Sequence, residues 1–157
     1  MAALLQLGVF LVLERRMKRT GGPGIIPFEL AGSRQEAQRI LNVWGSEGRA
    51  AARRSLMLDY LFPPTYATLH ALACTVVSEG LARHHPRLAG VSGPLVWVQL
   101  SAAAFDYIEN TALLLVLSGR DGRLPALARR AAMIKFAVIY TGWAYMAVGS
   151  AAARVQD

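Results

Sequence analysis

The chain is poor in cysteine and in charged residues, and both shortages limit what the protein can be. Its only cysteine is Cys74, so neither a disulfide within the chain nor a cysteine-based zinc site can form. Charged residues make up 17% of the sequence, against about 25% in soluble domains. Hydrophobic residues make up 54% and occur in unbroken runs such as 113–117. We therefore expect a membrane protein rather than a soluble helical bundle.

Acidic residues are also scarce: 10 Asp and Glu oppose 17 Lys and Arg, which gives a net charge of +7. In a soluble protein this charge would suggest nucleic acid as the partner. Here no nucleic-acid-binding motif is present, and the basic residues flank apolar stretches, where they can meet anionic head groups. The lipid bilayer is the expected partner, and nucleic acid is not. No cleavable leader is expected, because no basic segment precedes the apolar N-terminal run.

Four apolar stretches are predicted to cross the bilayer as helices. They comprise residues 2–17, 55–78, 94–117 and 131–150 of a single membrane domain, 1–157. The first is short, because about 20 residues are needed to cross the hydrocarbon. Glycine and proline at 21–24 and 92–94 mark the ends of segments. The expected fold class is an all-α integral membrane protein with four transmembrane helices.

A cytoplasmic amphipathic helix is predicted between the first two spans, at residues 34–44. Ser33 and Glu36 form a capping box, in which each side chain satisfies a free backbone donor of the other residue. Apolar residues then recur on one helical face: Ala37, Ile40, Leu41 and Trp44. This pattern predicts a helix in the head-group layer with Trp44 as its anchor. The alternative is packing on the bundle or on a partner subunit.

The distribution of basic residues predicts the topology. Segments 15–54 and 120–130 hold nine and four Lys or Arg, whereas Arg83, Arg87 and Arg154 are the three on the other side. Cytoplasmic loops carry the excess of basic residues. We therefore expect a multi-pass protein of the cell membrane with both termini outside the cytoplasm.

Ionisable and polar residues inside the predicted spans mark a candidate site. A charge in hydrocarbon costs several kcal/mol, so such residues are functional-site hypotheses. They recur at helical spacing and are expected to face the bundle interior, because lipid cannot satisfy them. The residues are Asp59, Tyr66 and His70 in the second span, Gln99, Asp106, Glu109 and Asn110 in the third, and Lys135 in the fourth, in line with Gly142 and Gly149.

Depth in the membrane suggests which of these residues meet. With a rise of about 1.5 Å per residue, Asp59 and Lys135 both lie roughly 7–8 Å below the cytoplasmic boundary, which predicts an ion pair. Asp106 and His70 lie about 21 and 24 Å deep, which predicts a second pair near the middle. Glu109 follows Asp106 by less than one helical turn, so one of the two carboxylates is expected to be protonated.

Two consecutive prolines, Pro63 and Pro64, interrupt the second span. Neither has an amide hydrogen, so the carbonyls around Asp59 and Tyr60 lose their helical donors. Neighbours, water or a ligand must satisfy those carbonyls in a membrane.

These features support three functional hypotheses. The first is binding of a lipid-soluble substrate, or acid–base chemistry on it, with Asp106, Glu109 and His70 as catalytic groups. The ligand-binding residues would be Tyr66, Asn110, Asp59, Lys135 and Gln99. The second hypothesis is a proton- or ion-coupled transporter or channel that works as a homo-oligomer. The third is an accessory subunit whose polar stripe docks on a membrane partner. The sequence does not identify a cofactor, and His84 with His85 lacks the further ligands that a metal site needs.

Overall fold

The described part of the chain is mostly helical, with short turns between the helices, which confirms the all-α prediction. The computed structural model describes residues 2–120 and 122–154, without the side chains of residues 2–7 and 154. No strand occurs in these residues. They form seven helices: α1 (Ala2–Arg19), α2 (Ile25–Glu29), α3 (Arg34–Asp59), α4 (Pro63–Leu81), α5 (Pro86–Gly90), α6 (Ser92–Leu117) and α7 (Leu124–Arg154).

Two stretches are long and apolar enough to cross a membrane. They are Pro86–Leu117, which contains α5 and α6, and Leu124–Ala153 in α7. Only 17% and 28% of their most apolar windows are buried, whereas a helix in the core of a soluble protein is buried all round. They correspond to the predicted spans 94–117 and 131–150. Within residues 2–120 and 122–154, the predicted spans 2–17 and 55–78 do not meet the same measure.

The predicted helix 55–78 is wrong as a continuous element. Residues as far as Asp59 belong to α3, and α4 starts only at Pro63. The two prolines lie in the first turn of α4, where an amide hydrogen has no helical partner to lose. Their missing amides prevent α3 from running on through them.

The described chain divides into two compact units. The first comprises Met1–Tyr60 and Tyr107–Ala132, and the second comprises Leu61–Asp106 and Met133–Asp157. The first unit contains α1 to α3, and the second contains α4 and α5. Helices α6 and α7 are each divided between the two units: α6 after Asp106 and α7 after Ala132.

The core of the first unit is built around α3. The chain bends at Gly45, whose φ of 56° and ψ of −157° lie in a region open to glycine. Trp44, just before the bend, is 1% exposed, and its ring lies 5.0 Å from that of Phe28. The apolar face predicted for the membrane surface is therefore buried inside the unit, with Ile40 at 0% and Leu41 at 2% exposure. Packing on the protein is the arrangement observed.

The capping box at the start of α3 forms only in part. Ser33 Oγ accepts a hydrogen bond from the Glu36 amide at 3.1 Å, as predicted. The Glu36 carboxylate binds the guanidinium of Arg39, with 2.9 Å to its Nε. This bond lowers the pKa of Glu36. Both carboxylate oxygens of Glu36 accept hydrogen bonds from Arg39, in place of the reciprocal bond from the Ser33 amide that the capping box would supply.

Hydrogen bonds with α1 and α3 hold the connection between α1 and α2 in place. Glu14 Oε2 accepts a hydrogen bond from the Ile25 amide at 3.0 Å, and Trp44 Nε1 donates to the Pro23 carbonyl at 2.7 Å. A Cβ on Gly24 would lie only 1.7 Å from Glu14 Oε1. Only glycine therefore allows the carboxylate to approach this closely.

Small side chains bring the helices of the second unit together. The buried residues of α4 include three small ones, Ala67, Ala71 and Cys74, between Pro63 and Leu81. On α7, a Cβ at Gly149 would lie 2.3 Å from Val77 Cγ1. Close approach through small residues is typical of helices that pack in membranes.

Candidate functional site

The second unit contains a buried ion pair between α6 and α7. Lys135 Nζ lies 3.1 Å from Asp106 Oδ1. The two residues are 7% and 3% exposed. Removing two charges from water is unfavourable, and the Coulomb attraction repays this only when further hydrogen bonds complete the site. The geometry therefore requires another polar group at the carboxylate.

Tyr66 of α4 supplies that group. Its hydroxyl donates to Asp106 Oδ2 at 2.9 Å. Both carboxylate oxygens are thus engaged, one by a cation and one by a phenol. Tyr66 is only half-buried, so it connects the buried carboxylate with the surface of α4. We call Tyr66, Asp106 and Lys135 the carboxylate network.

The observed partners of Asp106 and His70 differ from those predicted from their depth in the membrane. Asp106 meets Tyr66 and Lys135, and the predicted partnership of Asp106 with His70 is wrong. His70 Nε2 instead accepts a hydrogen bond from Trp143 Nε1 at 3.1 Å. Because an indole can only donate, Nε2 must be the unprotonated nitrogen and Nδ1 must carry the proton of a neutral ring. Nδ1 is buried and meets no acceptor among the described residues.

An aromatic row runs beside the carboxylate network and was missed in the sequence. Ring centroids lie 5.5 Å apart for Phe62 and Tyr66, 6.0 Å for Tyr66 and His70, and 6.1 Å for His70 and Trp143. Tyr140 continues the row, 5.5 Å from Trp143. The i, i+4, i+8 spacing of the first three rings was the available signal, because such residues share one helical face.

Gln99 is fully buried and binds the backbone of α7. Its Nε2 donates to the Val138 carbonyl at 2.8 Å. Gly142 leaves the space for this contact, since a Cβ there would lie 2.7 Å from Gln99 Cδ. The predicted inward stripe of Lys135, Gly142 and Gly149 is thus observed, with each residue against α4 or α6.

Gly142→Ala is expected to destabilise the protein by about 1–3 kcal/mol, because the methyl group displaces the Gln99 amide and leaves buried polar groups unsatisfied. Thermal unfolding in detergent measures this. The matched control is Gly80→Ala in α4, where a Cβ meets nothing within 4 Å. Alanine there is expected to stabilise the helix by up to about 1 kcal/mol. Equal behaviour of the two variants would contradict the close contact.

The remaining predicted site residues lie in the first unit. Asp59 Oδ2 accepts a hydrogen bond from Asn110 Nδ2 at 2.8 Å, and Asn110 is 1% exposed. Glu109 is fully buried in the same unit. The ion pair of Asp59 with Lys135 stays a prediction.

Tyr107 provides a hydrogen-bond donor for the Tyr60 carbonyl, one of the carbonyls that lack a helical donor because of Pro63 and Pro64. Tyr107 Oη donates to the Tyr60 carbonyl at 3.4 Å, and the two rings stack at 5.6 Å. Tyr60 Oη also shares a hydrogen bond with Thr111 Oγ1 at 2.6 Å. The first unit therefore satisfies this helix end with its own side chains.

No group of three His, Cys, Asp or Glu side chains converges to hold a metal ion within the described residues. The chemistry available in the second unit is that of a carboxylate, an ammonium group, a phenol and a neutral imidazole. No family model, curated protein or solved structure matches this chain.

Proposed function

We propose that the protein is a multi-pass membrane protein in which α1, α4, α6 and α7 cross the bilayer. Both termini lie outside the cytoplasm and the basic connections lie inside, as the basic-residue distribution favours. The exposed apolar side chains of the second unit support this: Leu61, Leu69, Val76, Trp97 and Val148 are between 58% and 74% exposed. Such a surface suits lipid and not water.

The orientation is testable by cysteine labelling. In a Cys74→Ala background, the variant His84→Cys is expected to react with a membrane-impermeant maleimide added to intact cells. The variant Arg123→Cys is expected to react only after the cells are opened. The reverse pattern would invert the topology.

We further propose that the second unit binds a lipid-soluble substrate and acts on it by acid–base chemistry. The observation that carries this is the engagement of both Asp106 oxygens, by Lys135 and by Tyr66, at 3% exposure. Protons can pass between groups that already share hydrogen bonds. A buried charge pair is weak evidence for stability as such, and in a membrane segment it is a functional-site hypothesis by default.

The proposed role of each residue in the carboxylate network follows from how exposed its side chain is. Tyr66 is the half-buried member and would take a proton from the substrate as it passes its own hydroxyl proton to Asp106. The reverse transfer would return a proton to the substrate, and Lys135 would hold the carboxylate ionised between turnovers. The aromatic row would offer a flat apolar wall, of the kind that lines small-molecule sites. Tyr66 takes the place that the depth argument assigned to His70.

The test uses protein isolated in nanodiscs formed directly from its own membrane. Organic extraction and mass spectrometry are expected to find about one lipid-soluble compound per protein. Incubation in D₂O before extraction is expected to introduce carbon-bound deuterium into that compound. Asp106→Asn can still accept a hydrogen bond but cannot exchange a proton, so it is expected to bind the compound without the exchange.

The matched pair of variants is Tyr66→Phe and Tyr145→Phe. Both remove one hydroxyl from the second unit, but Tyr145 Oη donates to the Leu88 carbonyl at 3.3 Å instead of to Asp106. Only Tyr66→Phe is expected to abolish exchange. Absence of any retained compound from the wild-type protein would overturn the proposal. Proton flux in reconstituted vesicles would then favour transport, and its absence an accessory subunit.

A further inference from the structure

The first unit has an apolar groove between α1 and α3, and none of its lining residues belongs to the carboxylate network. Its volume is about 840 Å³, and Gly8, Val12, Met57 and Leu58 are among the residues that line it. The side chains of Val12, Met57 and Leu58 are 50%, 60% and 38% exposed. Grooves of roughly 300–1,000 Å³ with mostly apolar walls are the usual sites of small ligands.

Two arginines, Arg16 of α1 and Arg54 of α3, also line the groove. Both are exposed, and neither forms an ion pair or hydrogen bond within the described residues. Other arginines of the same unit do have partners. Arg49 donates to the Leu41 carbonyl and Arg53 to the Leu117 carbonyl. The groove therefore combines an apolar wall with two uncompensated positive charges.

We propose that this groove binds an acidic phospholipid. An acyl chain lies along the apolar wall of α1 and α3, and the phosphate group lies at the guanidinium groups of Arg16 and Arg54. Guanidinium groups bind phosphate through paired hydrogen bonds with charge assistance. A zwitterionic lipid has its own ammonium group to neutralise the phosphate, so the site selects lipids with net negative charge. The proposal is independent of the carboxylate network, which lies in the second unit.

The test uses the full-length protein, delipidated in a neutral detergent and titrated with short-chain phosphatidylglycerol or phosphatidylcholine. Native mass spectrometry counts the bound lipids. The wild-type protein is expected to bind one phosphatidylglycerol with clear preference over phosphatidylcholine. Arg16→Gln with Arg54→Gln is expected to weaken that binding roughly thirtyfold, since each basic residue near an acidic lipid raises the affinity about five- to sixfold and the two factors multiply.

Two further variants separate a site from general attraction. Arg15→Gln with Arg19→Gln removes the same charge from exposed positions of α1 outside the groove, and is expected to leave the specific binding unchanged. Gly8→Leu fills the groove, because a Cβ at Gly8 meets nothing within 4 Å, and is expected to weaken binding while both arginines remain. Inorganic phosphate alone is expected not to compete.

The proposal is overturned if the wild-type protein binds both lipids equally, or if the two double variants lose phosphatidylglycerol to the same extent. Full binding by Gly8→Leu would also overturn it, because the acyl chain would then lie elsewhere. Competition by inorganic phosphate would assign the arginines to a free anion instead of a lipid.

Discussion

Replacing Asp106 with leucine is expected to destabilise the protein by about 3–5 kcal/mol, because Lys135 then keeps a buried charge without the carboxylate that it pairs with. Tyr66 also loses its acceptor. The free energy of unfolding, measured by titration with a denaturing detergent, gives the size of the effect. Asp106→Asn is expected to lose less, because the amide oxygen still accepts one hydrogen bond.

The double variant Asp106→Leu with Lys135→Met is the decisive control. Replacing both members of a buried ion pair by apolar residues of similar size is often neutral or stabilising. We therefore expect the double variant to recover most of the stability that the single variant loses. If the double variant is as unstable as the two single losses added together, the residues are not coupled and the ion pair is not the stabilising contact.

Replacing Trp44 with alanine is expected to cost about 3–5 kcal/mol, the range found for large aromatic residues in well-packed cores. Trp44 is 1% exposed, packs on Phe28 and donates to the Pro23 carbonyl. Gly22 and Gly48 leave the space for its indole, since a Cβ at either would lie 2.5–2.6 Å from Trp44. The same unfolding titration measures the loss.

Two comparisons make this second prediction specific. Trp44→Phe keeps one aromatic ring against Phe28 but removes the indole donor and part of the ring volume, so it is expected to cost about 1–3 kcal/mol. Trp97→Ala removes an indole that is 74% exposed and is expected to change stability by less than about 1 kcal/mol. If Trp44→Ala left stability intact and only weakened membrane attachment, that result would instead support the prediction that Trp44 anchors α3 in the head-group layer.

Local features of the sequence predicted the elements well where one residue decides the geometry. Ser33 caps α3 with its hydroxyl as expected, because a short polar side chain can reach a free amide three residues on. The helix predicted at 34–44 does end its regular geometry at Gly45, but the chain only bends there and α3 continues to Asp59. The stripe of Lys135, Gly142 and Gly149 faces other helices, because residues seven apart recur on the same side of a helix.

Pairings between helices were predicted less well. The predicted depths hold only if the second span is one straight helix, but residues 60–62 interrupt it. This break shifts the register of every residue counted from its cytoplasmic end. The partner of Asp106 was therefore placed at His70, whereas Tyr66, one turn earlier in α4, makes the contact.

The sequence alone predicted that the chain is helical, that 94–117 and 131–150 are long and apolar enough for a membrane, and which face of α7 is turned inward. These properties follow from composition and from a period of 3.6 residues, and both are local. The contact of Lys135 with Asp106 and the burial of Trp44 in a core are visible only in the folded protein. Periodicity assigns a residue to a face of its helix, but the neighbour it meets depends on how other helices pack against that face.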